Sequence, residues 1–250
     1  MRNSFVAAIG VLATSGSAMA AEPNFDYTYL QGEYHAHDFD GENGNGYQLE
    51  GHFSFGENFF IVATATEAET DVNEFVSNWG DTTFGTNIEL DLDYELNRKD
   101  FAVGIGGALP LGSRLDLIAQ AMYVESELTQ SLVGGRVIIN YLWNDDPPLI
   151  QSACTWDLCE TTSIDDQGFA TSIGLRGKAS ERIELYGNLT YYNVNLDNIN
   201  LEPAVAAMNA DNMTFEVGTR VMVIENLLLS LGYAKQEEIE SLRLGVRFAL

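Results

Sequence analysis

Ser241-Leu-Arg-Leu-Gly-Val-Arg-Phe-Ala-Leu250 ends the sequence, and within it Leu242, Leu244, Val246, Phe248 and Leu250 alternate with Arg243, Gly245, Arg247 and Ala249. Successive side chains of a strand point to opposite sides of a sheet, so this stretch predicts a strand with one wholly apolar face. With the strand at the end of the sequence, the expected cover for that face lies outside the chain, and lipid would serve. The other face carries two arginines, which suit a polar interior.

The opposite end predicts export. Arg2 supplies a basic start, Phe5 to Ala13 an apolar stretch, and Ala18-Met19-Ala20 a small-residue cleavage site, so residues 1–20 read as a signal peptide and Ala21 as the mature start. The apolar stretch is too short to span a bilayer as a helix. No later segment approaches the roughly 18 consecutive apolar residues such a helix needs, which excludes a helical membrane protein.

Twelve basic side chains stand against 37 acidic ones, for a formal charge of −25 that becomes one unit more negative once Arg2 leaves with the leader. A nucleic-acid partner needs a basic face that releases counterions, and this chain offers none. Acidity of this kind can simply keep a secreted protein soluble. Here the carboxylates fall mainly outside the apolar strand faces, which favours acidic outer loops. Cys154 and Cys159 form a C-x4-C pair, and in an oxidising compartment a small disulfide staple is expected. Zinc would need further soft ligands, and His35, His37 and His52 are remote in sequence. No cofactor is expected, and no metal-ligand set can be assigned.

Four stretches share one design, an apolar strand end, a few polar or glycine residues and an immediate return to alternation: residues 53–60, 108–115, 177–183 and 221–227. Each predicts a tight hairpin. Longer acidic segments lie between them, at about 38–46, 70–86, 127–167 and 195–213, with a shorter one at 236–241. Short turns at one end and long connections at the other match a transmembrane β-barrel. Four turns join eight strands, and a first strand at about 25–37 and a last at about 241–250 bring the count to ten. Tyr47, Leu49, Gly51, Phe53 and Phe55 are expected outward, with Gln48, Glu50, His52 and Ser54 inward. Ile183, Leu185, Gly187, Leu189 and Tyr191 are outward by the same parity, as are Phe215, Val217, Thr219, Val221 and Val223.

One region conflicts with simple parity. Ile88, Leu90, Leu92, Tyr94 and Leu96 are even, whereas Phe101, Val103, Ile105 and Leu109 are odd, which predicts a bulge or a turn near residues 97–100. Were 84–96 and 131–143 both full membrane strands, the total would be twelve. Ten is preferred, because twelve would move the tight 109–114 turn to the outside. A soluble barrel would show the same alternation with its apolar face inward. The turn asymmetry and the tyrosines near strand ends (Tyr27, Tyr29, Tyr34, Tyr123, Tyr191, Tyr192 and Tyr233) favour lipid as the outer phase. The expected fold class is therefore all-β, a transmembrane antiparallel up-and-down barrel of about ten strands over residues 21–250.

The spacing of Arg243, Gly245, Phe248 and Leu250 resembles the C-terminal assembly signal of bacterial outer-membrane β-barrels, which more often ends on an aromatic residue. Tyr27-Thr-Tyr-Leu-Gln-Gly-Glu-Tyr34 and the turn Gly56-Glu57-Asn58-Phe59 resemble a tyrosine-rich branch of the small Gram-negative outer-membrane barrels, a branch once discussed as a secreted signalling factor. The likeness covers most of the mature chain except an outer-loop insertion at about 127–166. It implies a monomeric barrel in the outer membrane, in contact with lipid, lipopolysaccharide and the barrel-assembly machinery. It carries over no catalytic motif.

Parity places Arg176, Arg220, Arg243 and Arg247 on the inward face together with Glu50, Asp116, Glu184 and Glu216. Ten strands enclose little more space than the eight that side chains can fill, so this mixed set predicts a plugged lumen, with a narrow channel for small solutes as the alternative. His35, His37 and Asp38 at the top of the first strand would be the general base and orienting carboxylate of a rim hydrolase. No nucleophile elbow, His-Glu-x-x-His or phosphate loop accompanies them. Residues 38–46 are rich in carboxylates, amides and glycines. Such a segment suits a solvated hairpin tip or Ca²⁺, and divalent ions could also bridge the outer loops to lipopolysaccharide phosphates. The expected role is structural or surface interaction without chemistry: envelope integrity, adhesion or recognition.

Overall fold

The computed structural model describes residues 24–39, 42–76, 86–141, 148–156, 159, 161–194, 213–236 and 239–250. The signal peptide expected at 1–20 lies outside these residues. Eleven strands are present among them: β1 (Tyr29–Phe39), β2 (Glu42–Phe55), β3 (Phe59–Val76), β4 (Thr86–Pro110), β5 (Leu115–Tyr141), β6 (Leu149–Ser152), β7 (Thr161–Lys178), β8 (Ile183–Asn193), β9 (Met213–Ile224), β10 (Leu227–Gln236) and β11 (Ile239–Ala249). A 3-10 turn, Ala153–Trp156, follows β6. Every pairing is antiparallel. β4 pairs with β5 and β1 with β11, so ten strands close into a barrel while β6 attaches only to the upper part of β5.

All four predicted tight turns occur, at residues 56–58, 111–114, 179–182 and 225–226. Gly56 (φ 69°) and Gly112 (φ 148°) adopt backbone conformations that L side chains rarely tolerate. The outward apolar set is exposed as parity requires, with Tyr47, Leu49, Phe53, Leu185, Phe215, Leu242, Leu244 and Phe248 all on the outer surface. Lipid is the medium that makes such a surface stable, because a sheet closed on itself leaves no unpaired backbone edge in the bilayer.

The opposite end departs from expectation. Segments 70–86 and 127–166, read as loop, are strand over much of their length: β3 and β4 stay paired to Val76↔Leu90, and β4 and β5 to Thr86↔Tyr141. A membrane strand needs only about 9–11 residues. At 25 and 27 residues, β4 and β5 therefore rise far above the bilayer, and with the upper part of β3 and with β6 they form an outer sheet. Acidic composition suggested loop, but alternating carboxylates are compatible with a strand whose outer face meets water.

Nor is there a turn or bulge in β4 near residues 97–100. Its pairing with β3 runs without a shift from Gly107 to Leu90, and the even-numbered residues stay on the inner face throughout, with Gly106, Ala102, Leu96, Leu92 and Leu90 buried. What changes is the medium. Within lipid the odd residues Phe101, Val103 and Ile105 supply the apolar outer face. Above it the outer phase is water, and the apolar residues move to the even, inner face. The irregularity in the β4–β5 ladder lies in β5, where Val133 is extra opposite Asp93/Tyr94 and Gly135 has φ 118°. That bulge turns Val137 inward, beside Leu132.

Candidate functional site

The lumen is filled in layers. At the turn end, Asn24 to Thr28 fold into the mouth ahead of β1. The Asn24 backbone N–H and Nδ2 donate to the fully buried Asp116 carboxylate (3.0 and 2.6 Å), as does Tyr27 Oη (3.1 Å). Arg176 donates through Nε and Nη2 to Glu184 (3.0 and 2.8 Å) and through Nη1 to the Asp26 carbonyl (3.2 Å), with its guanidinium 4.3 Å from the Phe25 ring. Phe25 and Tyr27 are thereby buried as a cork. Tyr27 begins a stack that crosses the interior. It lies on Phe60 (5.2 Å), Phe60 on His52 (4.7 Å), His52 on Tyr29 (4.4 Å), and Tyr29 under the Arg247 guanidinium (3.5 Å).

At mid-height Tyr29 Oη donates to Glu50 (2.7 Å), and Arg247 reaches Glu50 (3.8 Å) and Gln31 (2.5 Å). Gln31 and Ser230 both donate to Glu33. Arg220 lies over the Tyr186 ring at 3.9 Å. Tyr186 itself fills the space where a Cβ at Gly218 or Gly232 would stand. The cavity left here is about 90 Å³, enough for a few water molecules. Its roof includes Arg243, ion-paired with Glu216 at 3.0 Å. Above it a second cavity of about 160 Å³ is lined by β1 to β4 on one side and β8 to β11 on the other.

Each lumen residue singled out by parity thus points inward. Arg176 meets Glu184, Arg243 meets Glu216 and Arg247 meets Glu50, whereas Asp116 is held by Asn24 and Tyr27, and Arg220 rests on an aromatic ring. Sequence parity alone does not single out Phe25, Gln31 and Glu33, and Tyr27 and Tyr29 point inward instead of lying at the lipid boundary. A signal was present, because Tyr29, Gln31, Glu33, His35 and His37 share one parity against Leu30, Gly32, Tyr34 and Ala36. The buried carboxylates Asp116 and Glu50 give the two phenols a reason to turn inward. Tyr34, Tyr123 and Tyr233 do face outward.

At the rim, His35 and His37 occupy the inner face and His37 Nε2 bonds Thr70 Oγ1 (2.8 Å), while Asp38 is on the exposed outer face. The imidazoles and the carboxylate of the alternative rim-hydrolase reading thus lie on opposite faces of β1. Gly245 packs where a Cβ would meet Ser230 and Glu33, and Phe248 and Leu250 face outward beside the β1–β11 seam. Most of residues 38–46 is hairpin strand, and among the described residues no group of three His, Cys, Asp or Glu is placed to hold a metal.

The outer sheet has a core of its own, where Leu90, Leu92, Leu132 and Val137 bury against Ala153, with Ile88, Tyr94, Ile139 and Cys159 around them. The Cys154–Cys159 disulfide closes the loop that directly follows Ala153. On the far face Arg136 forks onto Asp91 through Nε (3.2 Å) and Nη2 (2.5 Å), which holds the Asp91 carboxyl below its ordinary range. Asn73 bridges Asp91 and Asp93.

Among solved structures the chain is similar to the outer membrane protease OmpT from Escherichia coli (16% identity, 89% of this chain and 94% of that one, TM-score 0.47). It is also similar to the KdgM porin (10% identity, 88% and 99%, TM-score 0.41) and to the translocator domain of the autotransporter NalP from Neisseria meningitidis (12% identity, 99% and 96%, TM-score 0.42). No curated protein matches the sequence. The family profile of the outer membrane protein beta-barrel domain matches residues 5–222, and with its closed ten-strand barrel the chain belongs to that outer-membrane family.

Proposed function

We propose that the protein is a sealed, non-catalytic barrel whose working surface is the outer sheet of β3 to β6. The supporting observation is the filling of the lumen. From the Phe25/Tyr27 cork to the Arg243–Glu216 pair, side chains leave an interior cavity of only about 90 Å³. The charges there are paired, stacked or hydrogen-bonded to neutral donors, which favours a fixed plug over a water-filled path. Meanwhile β4 and β5 carry many more residues than crossing the bilayer requires, and those residues build a stapled platform with a separate core. A platform of this kind suits adhesion, recognition or envelope integrity. Its partners would include lipopolysaccharide, bridged to the acidic outer face by divalent ions, with the β11 face presented to the assembly machinery during insertion.

The test is conductance of refolded residues 21–250 in planar bilayers, after heat-modifiable gel migration establishes folding. The expected result is a folded, electrically silent barrel. Discrete, sustained channel steps would overturn the sealed-barrel reading and make the lumen arginines a selectivity element.

A further inference from the structure

The cavity at the outer end of the lumen has the chemistry of a binding pit. Its charged liners are already neutralised: Arg98 Nε donates to Asp100 (3.0 Å), and Arg243 Nη1 to Glu216 (3.0 Å). What remains for a ligand is neutral hydrogen-bonding capacity, from the Gln48 carbonyl and the Gln236 amide N–H groups, whose other ends are engaged by Glu50 and Thr214, and from the hydroxyls of Tyr192 and Ser241. One wall is apolar and includes the buried side chain of Leu96.

Two buried nitrogens in this lining have no hydrogen-bond partner among the described residues, His35 Nε2 and Arg243 Nε. His35 is 7% exposed. Its nearest carboxylate oxygen, Glu33 Oε2, is 3.6 Å away, beyond hydrogen-bonding range, and Glu33 already accepts from Gln31 and Ser230. Buried polar atoms are nearly always satisfied, so two unsatisfied nitrogens on side chains that line one cavity mark a place where acceptor oxygens belong. An anion would find no uncompensated positive charge and would have to pass an acidic surface. A molecule with hydroxyls around its edge and a C–H face matches both the polar lining and the Leu96 wall.

From this we infer that the pit binds a neutral, hydroxyl-rich ring, a single saccharide unit, at the outer mouth of the barrel. The volume of about 160 Å³ fits one ring and is smaller than the roughly 300–1,000 Å³ of sites for drug-sized ligands. The inference is independent of whether the barrel conducts, so conductance and binding can fail separately.

The chain has three histidines, which makes them convenient reporters. His35 and His37 line the pit, and His52 lines the inner cavity as an internal control. Histidine-labelled, refolded protein is titrated by NMR with the methyl glycosides of glucose, galactose and mannose, and separately with inorganic phosphate and glucuronate. The expected result is a saturable shift of His35 and His37 with at least one neutral glycoside while His52 stays in place. Ala68→Phe, which fills the pit from β3, should weaken that response by about tenfold or more. If that variant does not fold, the wild-type titration decides alone. Absence of saturation with every glycoside, saturation only with phosphate or glucuronate, or equal shifts of all three histidines would each overturn the proposal.

Discussion

Removing Glu184 isolates the charge of Arg176, and the structure sets the size of the penalty. Both side chains are nearly inaccessible (5% and 11% exposed), and among the described residues Glu184 Oε2 is the only carboxylate oxygen to which the guanidinium donates. In Glu184→Ala the guanidinium would keep the Asp26 carbonyl and the Phe25 and Tyr27 rings at 4.3 and 5.3 Å. Those neutral partners compensate only in part, since a desolvated cation–π contact contributes about 2 kcal/mol. Stranding one member of a buried pair costs about 3–5 kcal/mol. The double variant Arg176→Met, Glu184→Leu strands no charge and takes one donor from the Asp26 carbonyl, and apolar replacement of a buried pair is often neutral, so it should lie within about 1 kcal/mol of wild type. Urea unfolding in one fixed detergent or lipid, followed by circular dichroism and heat-shifted gel migration, measures both. A Glu184→Ala loss below about 1 kcal/mol, or a double variant worse than the single, would refute the reasoning that a desolvated pair holds this layer.

Two further expectations test the backbone and the outer sheet. A Cβ at Gly104 would stand 2.1 Å from the Ala121 carbonyl oxygen and 2.6 Å from Met122 Cα, so Gly104→Ala should cost about 1–3 kcal/mol in the same unfolding assay. Gly32→Ala, with open space around its Cβ, should differ from wild type by less than about 0.5 kcal/mol, and equal losses at the two sites would contradict this account. Replacing both Cys154 and Cys159 by Ser releases a short loop whose closure contributes about 2 kcal/mol. Limited proteolysis should then cut within 131–160 while heat-modifiable migration of the barrel is unchanged. Loss of the whole barrel would mean that the outer sheet is not a separate unit.

The barrel was legible because its determinants are local. Alternation in 241–250, 47–55 and 215–223 places one face toward lipid whatever the partner strands are, and four short turns set the strand order, so ten strands and the inward parity of Arg176, Arg220, Arg243 and Arg247 followed from the chain alone. What tertiary structure decided depends on distance across the lumen. Glu33 meets Ser230 from 197 residues away, Arg247 meets Gln31 from 216, and Asp116 is held by Asn24 from 92, relations that periodicity does not encode. The pattern of 88–109 was ambiguous for a different reason. Alternation records which face is apolar but not which medium lies outside, and β4 passes from lipid into water without changing its register. Only the full sheet, with Leu90, Leu92, Leu132 and Val137 closed over Ala153, shows that hydrophobic burial above the membrane points inward, where below it the apolar face points out.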